Sequence, residues 1–251
     1  MKYVIFGGGG FIGSCLADRL LEEGHEVSIF EHPKAAPYRE FLDTEKMNWI
    51  AGDFLNEDDI NSAVKGVDGV FHLISTTLPK SSNDDPIFDV QSNVVGTLQL
   101  LNAMVKNDVR QIVFSSSGGT VYGDPHYLPI DEKHPTNPTV SYGITKLTIE
   151  KYLQMYQNLY GINASILRVT NPYGQRQKIR SGHGAVGLFL DLAMQNKALE
   201  IWGDGSVVRD FIYIDDVISA CIKSISYTGA KTVLNISSGS GTSLNELISS
   251  L

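Results

Sequence analysis

The sequence predicts an α/β fold with a doubly wound, mostly parallel sheet and helices on both of its faces. Short apolar segments that are typical of buried strands alternate with longer segments of helical periodicity. The first unit, residues 3–31, runs strand, glycine-rich turn, helix and strand, which is the order of a βαβ unit. With 251 residues, the chain can form one large domain or little more, with a sizeable core.

The composition argues against several classes of protein. Hydrophobic residues make up 42% and charged residues 19% of the chain, as in ordinary globular proteins. A net charge of -8 argues against nucleic acid as the main partner, although it leaves room for a local basic pocket. No apolar segment is long enough to span a bilayer and the N-terminus lacks a signal-peptide pattern, so we expect a cytoplasmic protein without membrane contact. Cys15 and Cys221 lie far apart, so we expect neither a disulfide framework nor a cysteine metal site.

The turn after the first strand has the glycines that a bound dinucleotide requires. Gly7, Gly10 and Gly13 stand where the geometry needs a tight turn, an approach of bare main chain to a pyrophosphate, and close packing of helix on strand. Such a turn alone could be an adaptable loop, but its place between a strand and a helix favours dinucleotide binding. Phe11 and Ile12, at the start of that helix, complete the predicted segment.

Two acidic residues follow the next two predicted strands. Glu31 ends the second strand, where a carboxylate receives the hydroxyls of the adenosine ribose, and its charge would repel the 2′-phosphate of NADP. We therefore predict NAD as the cofactor, with a solvated strand-end carboxylate as the alternative. Asp53, followed by Phe54, comes after the strand over residues 47–51, and it either accepts from the adenine amino group or shapes a turn.

A fourth strand is predicted over residues 69–75, and Leu73 near its end is expected to lie across the cofactor. His72 has no second ligand at metal spacing, so we expect a structural imidazole and no metal ion. The helix predicted over residues 88–107 carries Asn93, which either is buried as an organising amide or is exposed.

A cluster of hydroxyl groups ends the fifth predicted strand, over residues 111–116. Ser115, Ser116 and Ser117 are followed by two glycines and Thr120. The carboxyl end of a central strand is where substrate chemistry is expected in such sheets, although serine and glycine also terminate strands as ordinary turn residues.

Tyr142 and Lys146 stand four residues apart in an amphipathic segment that runs from Ser141 to near Gly161. In a helix they share one face, and a nearby ammonium lowers the pKa of a phenol from its usual value of about 10. Such a pair is common on solvated helix faces. Together with the glycine turn and the hydroxyl cluster, it predicts proton transfer beside a dinucleotide.

The second half of the chain contains a basic, glycine-rich loop over residues 175–187. Its Arg176, Lys178 and Arg180 would favour a diphosphate, with a merely solvated loop as the alternative.

Taken together, these motifs resemble the extended short-chain dehydrogenases/reductases of the NAD-dependent epimerase/dehydratase family. The motifs that carry the resemblance cover residues 7–13, 53, 93–97, 115–123, 142–146, 167–174 and 209–217, and they keep the family's order along nearly the whole chain. Two small departures are Phe6, where a threonine is common, and Ile74-Ser75, where a pair of alanines is common.

The resemblance implies a hydroxyl-Tyr-Lys triad. Tyr142 would be the base, Lys146 would bind the nicotinamide ribose beside Ser115, and Ser117 would hydrogen-bond the reacting hydroxyl. Because the family often has one residue fewer between its serine and the Val-Tyr-Gly motif, Ser116 and Thr120 remain alternatives. On the substrate side, Asn171 is similar to an asparagine that contacts the phosphates, and Arg209 matches an arginine that grips the diphosphate.

The implied fold is a Rossmann domain over residues 1–170 and a substrate-binding region over residues 171–251. The last predicted helix begins with a capping box at Ser243 and Glu246 and is still running at the end of the chain, whereas family members continue for several tens of residues. We therefore expect either a truncated substrate region or an unusually compact protein. A homodimer through the helices that begin near Phe88 and Ser141 is also implied.

The implied reaction is NAD-dependent inversion at C4 of a nucleotide-diphosphate sugar, such as a UDP-sugar, through a 4-keto intermediate. A 4,6-dehydratase is the first alternative, but the acid and base that it needs would follow the triad hydroxyl, where Gly118 and Gly119 stand. A sugar-nucleotide reductase or decarboxylase is the second. A non-catalytic dinucleotide-sensing regulator is remote, since such proteins usually lose the tyrosine or the lysine.

Overall fold

The computed structural model describes residues 1–177, 184–201 and 203–250. The strands are β1 (Lys2–Phe6), β2 (Glu26–Glu31), β3 (Met47–Ala51), β4 (Gly69–His72), β5 (Gln111–Ser117), β6 (Asn163–Val169), β7 (Asn171–Tyr173), β8 (Val208–Tyr213), β9 (Val233–Ile236) and β10 (Gly241–Ser243). The helices are α1 (Phe11–Glu22), α2 (Glu57–Val64), α3 (Pro86–Asp89), α4 (Gly96–Lys106), α5 (Ser141–Tyr160), α6 (Ala185–Met194), α7 (Ile214–Ile225) and α8 (Leu244–Ser249).

Seven strands form one parallel sheet in the order β3-β2-β1-β4-β5-β6-β9. From β1 the chain builds outward to β3, then crosses back to place β4 on the other side of β1. This reversal opens a crevice at the carboxyl ends of β1 and β4, the usual ligand position in such sheets. The predicted doubly wound parallel sheet is confirmed.

Both faces of the sheet are covered because its central strands are apolar on both sides. Val4 and Phe6 belong to the core beneath α2, α4 and α5, whereas Ile5 belongs to the core beneath α1 and α7. A smaller sheet, in the order β10-β8-β7, stands beside the main one. β9 lies in the main sheet although it comes from the second half of the chain, and the division at residue 170 remains a prediction.

The largest differences from the predicted element boundaries are at β4 and at the helix that precedes β5. β4 ends at His72 rather than at residue 75. The helix predicted from residue 88 begins at Pro86, with the Asp85 carboxylate accepting from the Phe88 N–H, and it contains a π-helical stretch at Val90–Val95 before α4. No helix of the described residues is both long and apolar enough to cross a membrane.

The glycine turn brings α1 directly onto the end of β1. Gly7 has a φ of +87°, which favours glycine, and a Cβ at Gly13 would lie 2.2 Å from the main-chain oxygen of Gly7. A side chain at either position would therefore strain the turn or push α1 away from the strand.

We predict that Gly13→Ala lowers the free energy of unfolding by at least about 2 kcal/mol, as expected for an overpacked contact. Denaturant titration measures this change. Gly119→Ala is the matched control, since a Cβ there meets nothing within 4 Å. Equal stability of the two variants would contradict the close packing of α1 on β1.

Candidate active site

The polar groups predicted to carry function converge at the carboxyl edge of the sheet. The glycine turn follows β1, Ser115 and Ser117 end β5, and α5 delivers Tyr142 and Lys146 from the adjoining layer. The parallel order of β1, β4 and β5 brings their ends side by side. The topology therefore gathers groups that are more than 100 residues apart in the sequence.

The glycine turn and Glu31 form one half of this edge. The Glu31 Oε1 atom accepts the N–H of Gly9 at 2.8 Å, so the carboxylate is already oriented toward the turn. No side chain caps the N-terminus of α1, and its first N–H groups face the same region. Bare main chain, a helix N-terminus and an acidic strand end fit the pyrophosphate and ribose of a dinucleotide.

The next three residues predicted to contact the cofactor, Asp53, Phe54 and Leu73, offer different groups to a ligand. Asp53 is exposed, and its Oδ1 atom accepts from the Leu55 N–H at 2.9 Å, which is the turn-forming alternative. The Phe54 side chain is buried against Gly96, so only its main chain is available to a ligand. Leu73 donates its N–H to the Phe6 oxygen at 2.9 Å and lies directly against the turn.

Lys146 is almost completely buried at the centre of the site. Its Nζ donates to the main-chain oxygen of Ser115 at 2.9 Å and lies 4.8 Å from the centroid of the Phe114 ring. The same nitrogen lies 5.6 Å from the centroid of the Tyr142 ring. The predicted juxtaposition of the phenol and the ammonium is therefore present.

The electrostatics of the pair differ from the expectation. Burial raises the pKa of Tyr142 to about 12, and the charge of Asp89 adds to this while a hydrogen bond with Ser75 opposes it. Burial lowers the pKa of Lys146 to about 8, against the charges of Asp89 and Glu150. The expected lowering of the Tyr142 pKa is wrong for this structure, because loss of solvation and the charge of Asp89 raise that pKa.

The three candidate hydroxyls have different surroundings. Ser116 is buried and donates to the Glu150 Oε1 atom at 2.5 Å, and Glu150 in turn pairs with Arg168 at 2.6 Å. Ser117 points to the opposite face of β5 from Ser116, since side chains alternate along a strand. The Thr120 Oγ1 atom is buried without a hydrogen-bond partner among the described residues. Ser117 and Thr120 thus remain candidates, whereas Ser116 is occupied by the buried ion pair.

The predicted substrate-binding residues lie around the small sheet. The Asn171 Nδ2 atom donates to the Asp210 oxygen at 2.8 Å, which ties β7 to β8, and Arg209 is exposed on β8. Arg176 of the basic loop donates to the Ser14 oxygen and to the Asp18 carboxylate of α1. Lys178 and Arg180 lie outside the described residues.

His72 is a buried structural imidazole, as predicted. Its Nε2 atom lies 2.8 Å from the Thr97 hydroxyl oxygen. Burial and then the charge of Lys146 lower its pKa to about 3, so the ring is neutral. No metal-binding group of three or more His, Cys, Asp or Glu side chains occurs within the part of the chain that the structure describes.

A cavity of about 530 Å³ lies beside the second half of α1, away from this edge. Its lining includes Gly24 and His25, which precede β2 at the amino end of the sheet. The site is therefore located by its chemistry and its topology rather than by the size of this cavity.

Three buried charged side chains near the site were not predicted from the sequence: Asp89, Glu150 and Arg168. Each is 4% exposed or less. Glu150 follows Lys146 by one further helical step of four residues, and this spacing could have pointed to it. Asn93, for which two interpretations were open, is buried and donates to the Asp89 Oδ1 atom at 2.9 Å.

A doubly wound sheet with a glycine turn, a strand-end carboxylate and a tyrosine beside a buried lysine defines a dinucleotide-dependent enzyme of the short-chain dehydrogenase/reductase class. The sequence model of the NAD-dependent epimerase/dehydratase family matches residues 3–237, and the chain belongs to this family. The predicted resemblance is confirmed.

Individual relatives agree with this assignment. UDP-glucose 4-epimerase of Mycolicibacterium smegmatis is 35% identical over 253 residues, covering 98% of this chain and 80% of the relative. The crystal structure of Thermotoga maritima UDP-glucose 4-epimerase with UDP-glucose superposes with a TM-score of 0.92 at 32% identity, covering 99% of this chain and 81% of that one. The Thermus thermophilus UDP-glucose 4-epimerase complex with NAD gives a TM-score of 0.87 at 29% identity over the same shares.

We predict that Ser116→Ala lowers the free energy of unfolding by about 1.5–3 kcal/mol, since it removes a buried hydrogen bond to a charged group, and that turnover is retained. Denaturant titration and steady-state kinetics measure the two effects. Ser117→Ala and Thr120→Val are the comparison variants, one of which should lose turnover. Loss of turnover in Ser116→Ala at unchanged stability would place Ser116 in the triad.

Proposed function

We propose that the protein is an NAD-dependent epimerase that inverts C4 of a nucleotide-diphosphate sugar, of the UDP-glucose/UDP-galactose type. The observation that carries this proposal is the pair of Tyr142 and the buried Lys146 beside Ser115, at the sheet edge that also holds the glycine turn. Relatives of the same fold are UDP-glucose 4-epimerases, with UDP-glucose in one structure and NAD in another.

The residues around the crevice would hold NAD in distinct ways. Gly7, Gly10 and Gly13, with Phe11 and Ile12, would place bare main chain against the pyrophosphate. Glu31 would accept from the adenosine ribose, with Asp53 and the main chain of Phe54 near the adenine. Leu73, Ser115 and Lys146 would line the nicotinamide end. When bound, NAD supplies the acceptor for the hydride that leaves the sugar C4 atom, and its nicotinamide ring carries a positive charge.

Tyr142 would exchange the proton of the C4 hydroxyl. The raised pKa of Tyr142 keeps its phenol protonated at neutral pH. The positively charged ring of bound NAD would favour the phenolate. Ser117 or Thr120 would hydrogen-bond the same hydroxyl and fix its direction. Asn171 and Arg209 would hold the phosphates, so that the sugar can turn while the nucleotide stays anchored.

The alternatives differ in the groups that they require. A 4,6-dehydratase needs an acid and a base after the triad hydroxyl, and Gly118 and Gly119 supply neither. A reductase or a decarboxylase would leave a net change in the nicotinamide or release carbon dioxide. A dinucleotide-sensing regulator has no need for a tyrosine placed beside a buried lysine.

We also propose a homodimer in the cytoplasm. Apolar side chains are exposed on the two neighbouring helical segments α3 and α5, among them Ile87 at 72%, Ile144 at 50% and Leu159 at 64%. Pairing of these helices between two copies would cover them.

We predict that incubation with UDP- and dTDP-sugars gives products inverted at C4 without net formation of NADH. NMR of the products and absorbance at the NADH band measure the two outcomes. A 4-keto-6-deoxy product would establish the dehydratase instead, and stoichiometric NADH or carbon dioxide would establish an oxidoreductase or a decarboxylase.

We predict that Tyr142→Phe reduces epimerisation by about 10²–10⁴-fold, the usual contribution of a general base, while NAD binding is retained. Steady-state kinetics measures epimerisation, and the quenching of protein fluorescence by NAD measures cofactor binding. Tyr160→Phe on the exposed end of α5 is the control and should keep full turnover. Full turnover in the Tyr142→Phe variant would rule out Tyr142 as the base.

A further inference from the structure

Asp89 is a buried carboxylate held by neutral donors. It is 0% exposed and lies at the end of α3. Its Oδ1 atom accepts from the Thr77 hydroxyl at 2.5 Å and from the Asn93 amide at 2.9 Å. Its Oδ2 atom accepts from the Ser141 hydroxyl at 2.6 Å and lies 3.3 Å from the Thr145 hydroxyl, whose single proton has a closer acceptor in the Tyr142 main-chain oxygen at 2.9 Å. The salt bridges among the described residues do not include Asp89. A buried anion of this kind is costly unless a charge elsewhere compensates for it.

The donors tie Asp89 to the residues next to the Tyr-Lys pair. Ser141 immediately precedes Tyr142, and Thr145 immediately precedes Lys146. The two residues lie one helical turn apart on the same face of α5, and the short Ser141 hydrogen bond attaches the first turn of this helix to α3. The directions in which the phenol and the ammonium point therefore depend on Asp89.

The charge of Asp89 also has a specific counterpart. The titratable groups that face Lys146 are Tyr142 and Glu150 on α5, His72 on β4 and Asp89 on α3, with Arg168 on β6 behind Glu150. Glu150 is neutralised by Arg168, whose Nε and Nη2 atoms donate to its two oxygens at 3.0 and 2.6 Å. Asp89 is then the acidic group near Lys146 whose charge is not already matched by an adjacent cation.

We propose that Asp89 is a positioning residue of the active site: it keeps Lys146 charged inside the protein and sets the orientation of α5. This proposal rests on the proposed epimerase function only where turnover is concerned. The state of the lysine is a property of the chain alone. Compensation between these two charges explains how the Asp89 carboxylate, which has no adjacent cation, and the Lys146 ammonium can both be buried at one site.

The sign of the effect follows from the surroundings of Lys146. Burial lowers its pKa from an ordinary 10.5 to about 8, and the charge of Asp89 opposes this fall. Removing that charge lowers the pKa further, so the lysine loses its proton at a lower pH. The same removal lowers the pKa of Tyr142, which Asp89 raises. Both limbs of a bell-shaped activity profile should then move toward lower pH.

The test is the titration of Lys146 in protein labelled with ¹³C at the lysine Cε atoms, with the resonance assigned by Lys146→Arg. Asp89→Asn, which keeps the shape of the side chain, should lower the midpoint by about one pH unit or more, the effect of a neighbouring opposite charge. Asp84→Asn, which removes an equal charge at an exposed position, should leave the midpoint in place. Ser141→Ala, which removes one hydrogen bond but keeps the Asp89 charge, should also leave it in place.

An unchanged midpoint in Asp89→Asn would overturn the proposal. If that variant does not fold, the titration midpoint of Lys146 in the unsubstituted protein tests the proposal. A midpoint near 8 supports a counter-charge beside the lysine. A midpoint of about 5–6, the range of fully buried lysines, excludes one. The titration needs neither sugar nor NAD, so its result is independent of whether the epimerase reaction is found. Where the reaction is found, the pH profile of Asp89→Asn should move with the titration.

Discussion

The site depends on keeping one ammonium ion charged away from water. Lys146 is 4% exposed, and desolvation of a cation is among the most costly events in folding. The main-chain oxygen of Ser115, the face of the Phe114 ring and two carboxylates offset that cost. Ser115 and Phe114 belong to β5 and Asp89 to α3, whereas Glu150 lies on α5 itself. The position of the lysine is therefore a product of the whole fold and not of α5 alone.

Charge is balanced inside the protein. Asp89, Lys146, Glu150 and Arg168 are all 4% exposed or less, two of them acidic and two basic. Glu150 and Arg168 form a direct pair across α5 and β6, and Ser116 of β5 joins it. Asp89 has no such direct partner among the described residues, and its carboxylate accepts from neutral hydroxyl and amide groups. This arrangement holds α5 to the sheet through polar contacts, in addition to the apolar contacts of Ile149 and Leu153 with the core.

The sequence predicted what depends on local patterns. Periodicity located the strands of the sheet and the long helices, and the capping box at Ser243 and Glu246 is present. The glycine turn was recognisable because its geometry tolerates few other residues. Patterns did not reveal the π-helical stretch before α4 or the pairing of Arg176 with Asp18. The prediction that the pKa of Tyr142 is lowered was wrong, because this pKa depends on burial and on Asp89, a residue 53 positions away.

Helix α5 begins without a cap of its own. Val140 precedes it and supplies no side-chain hydrogen bond, whereas Asn83 accepts from the Ser141 N–H at 2.9 Å and Ser82 accepts from the Tyr142 N–H at 3.0 Å. The first turn of this helix is thus completed by residues about 60 positions earlier in the chain. An isolated peptide of this segment would fray at the tyrosine. Tyr142 is therefore held in place by tertiary contacts with the segment that follows β4, and not by the sequence of its own helix alone.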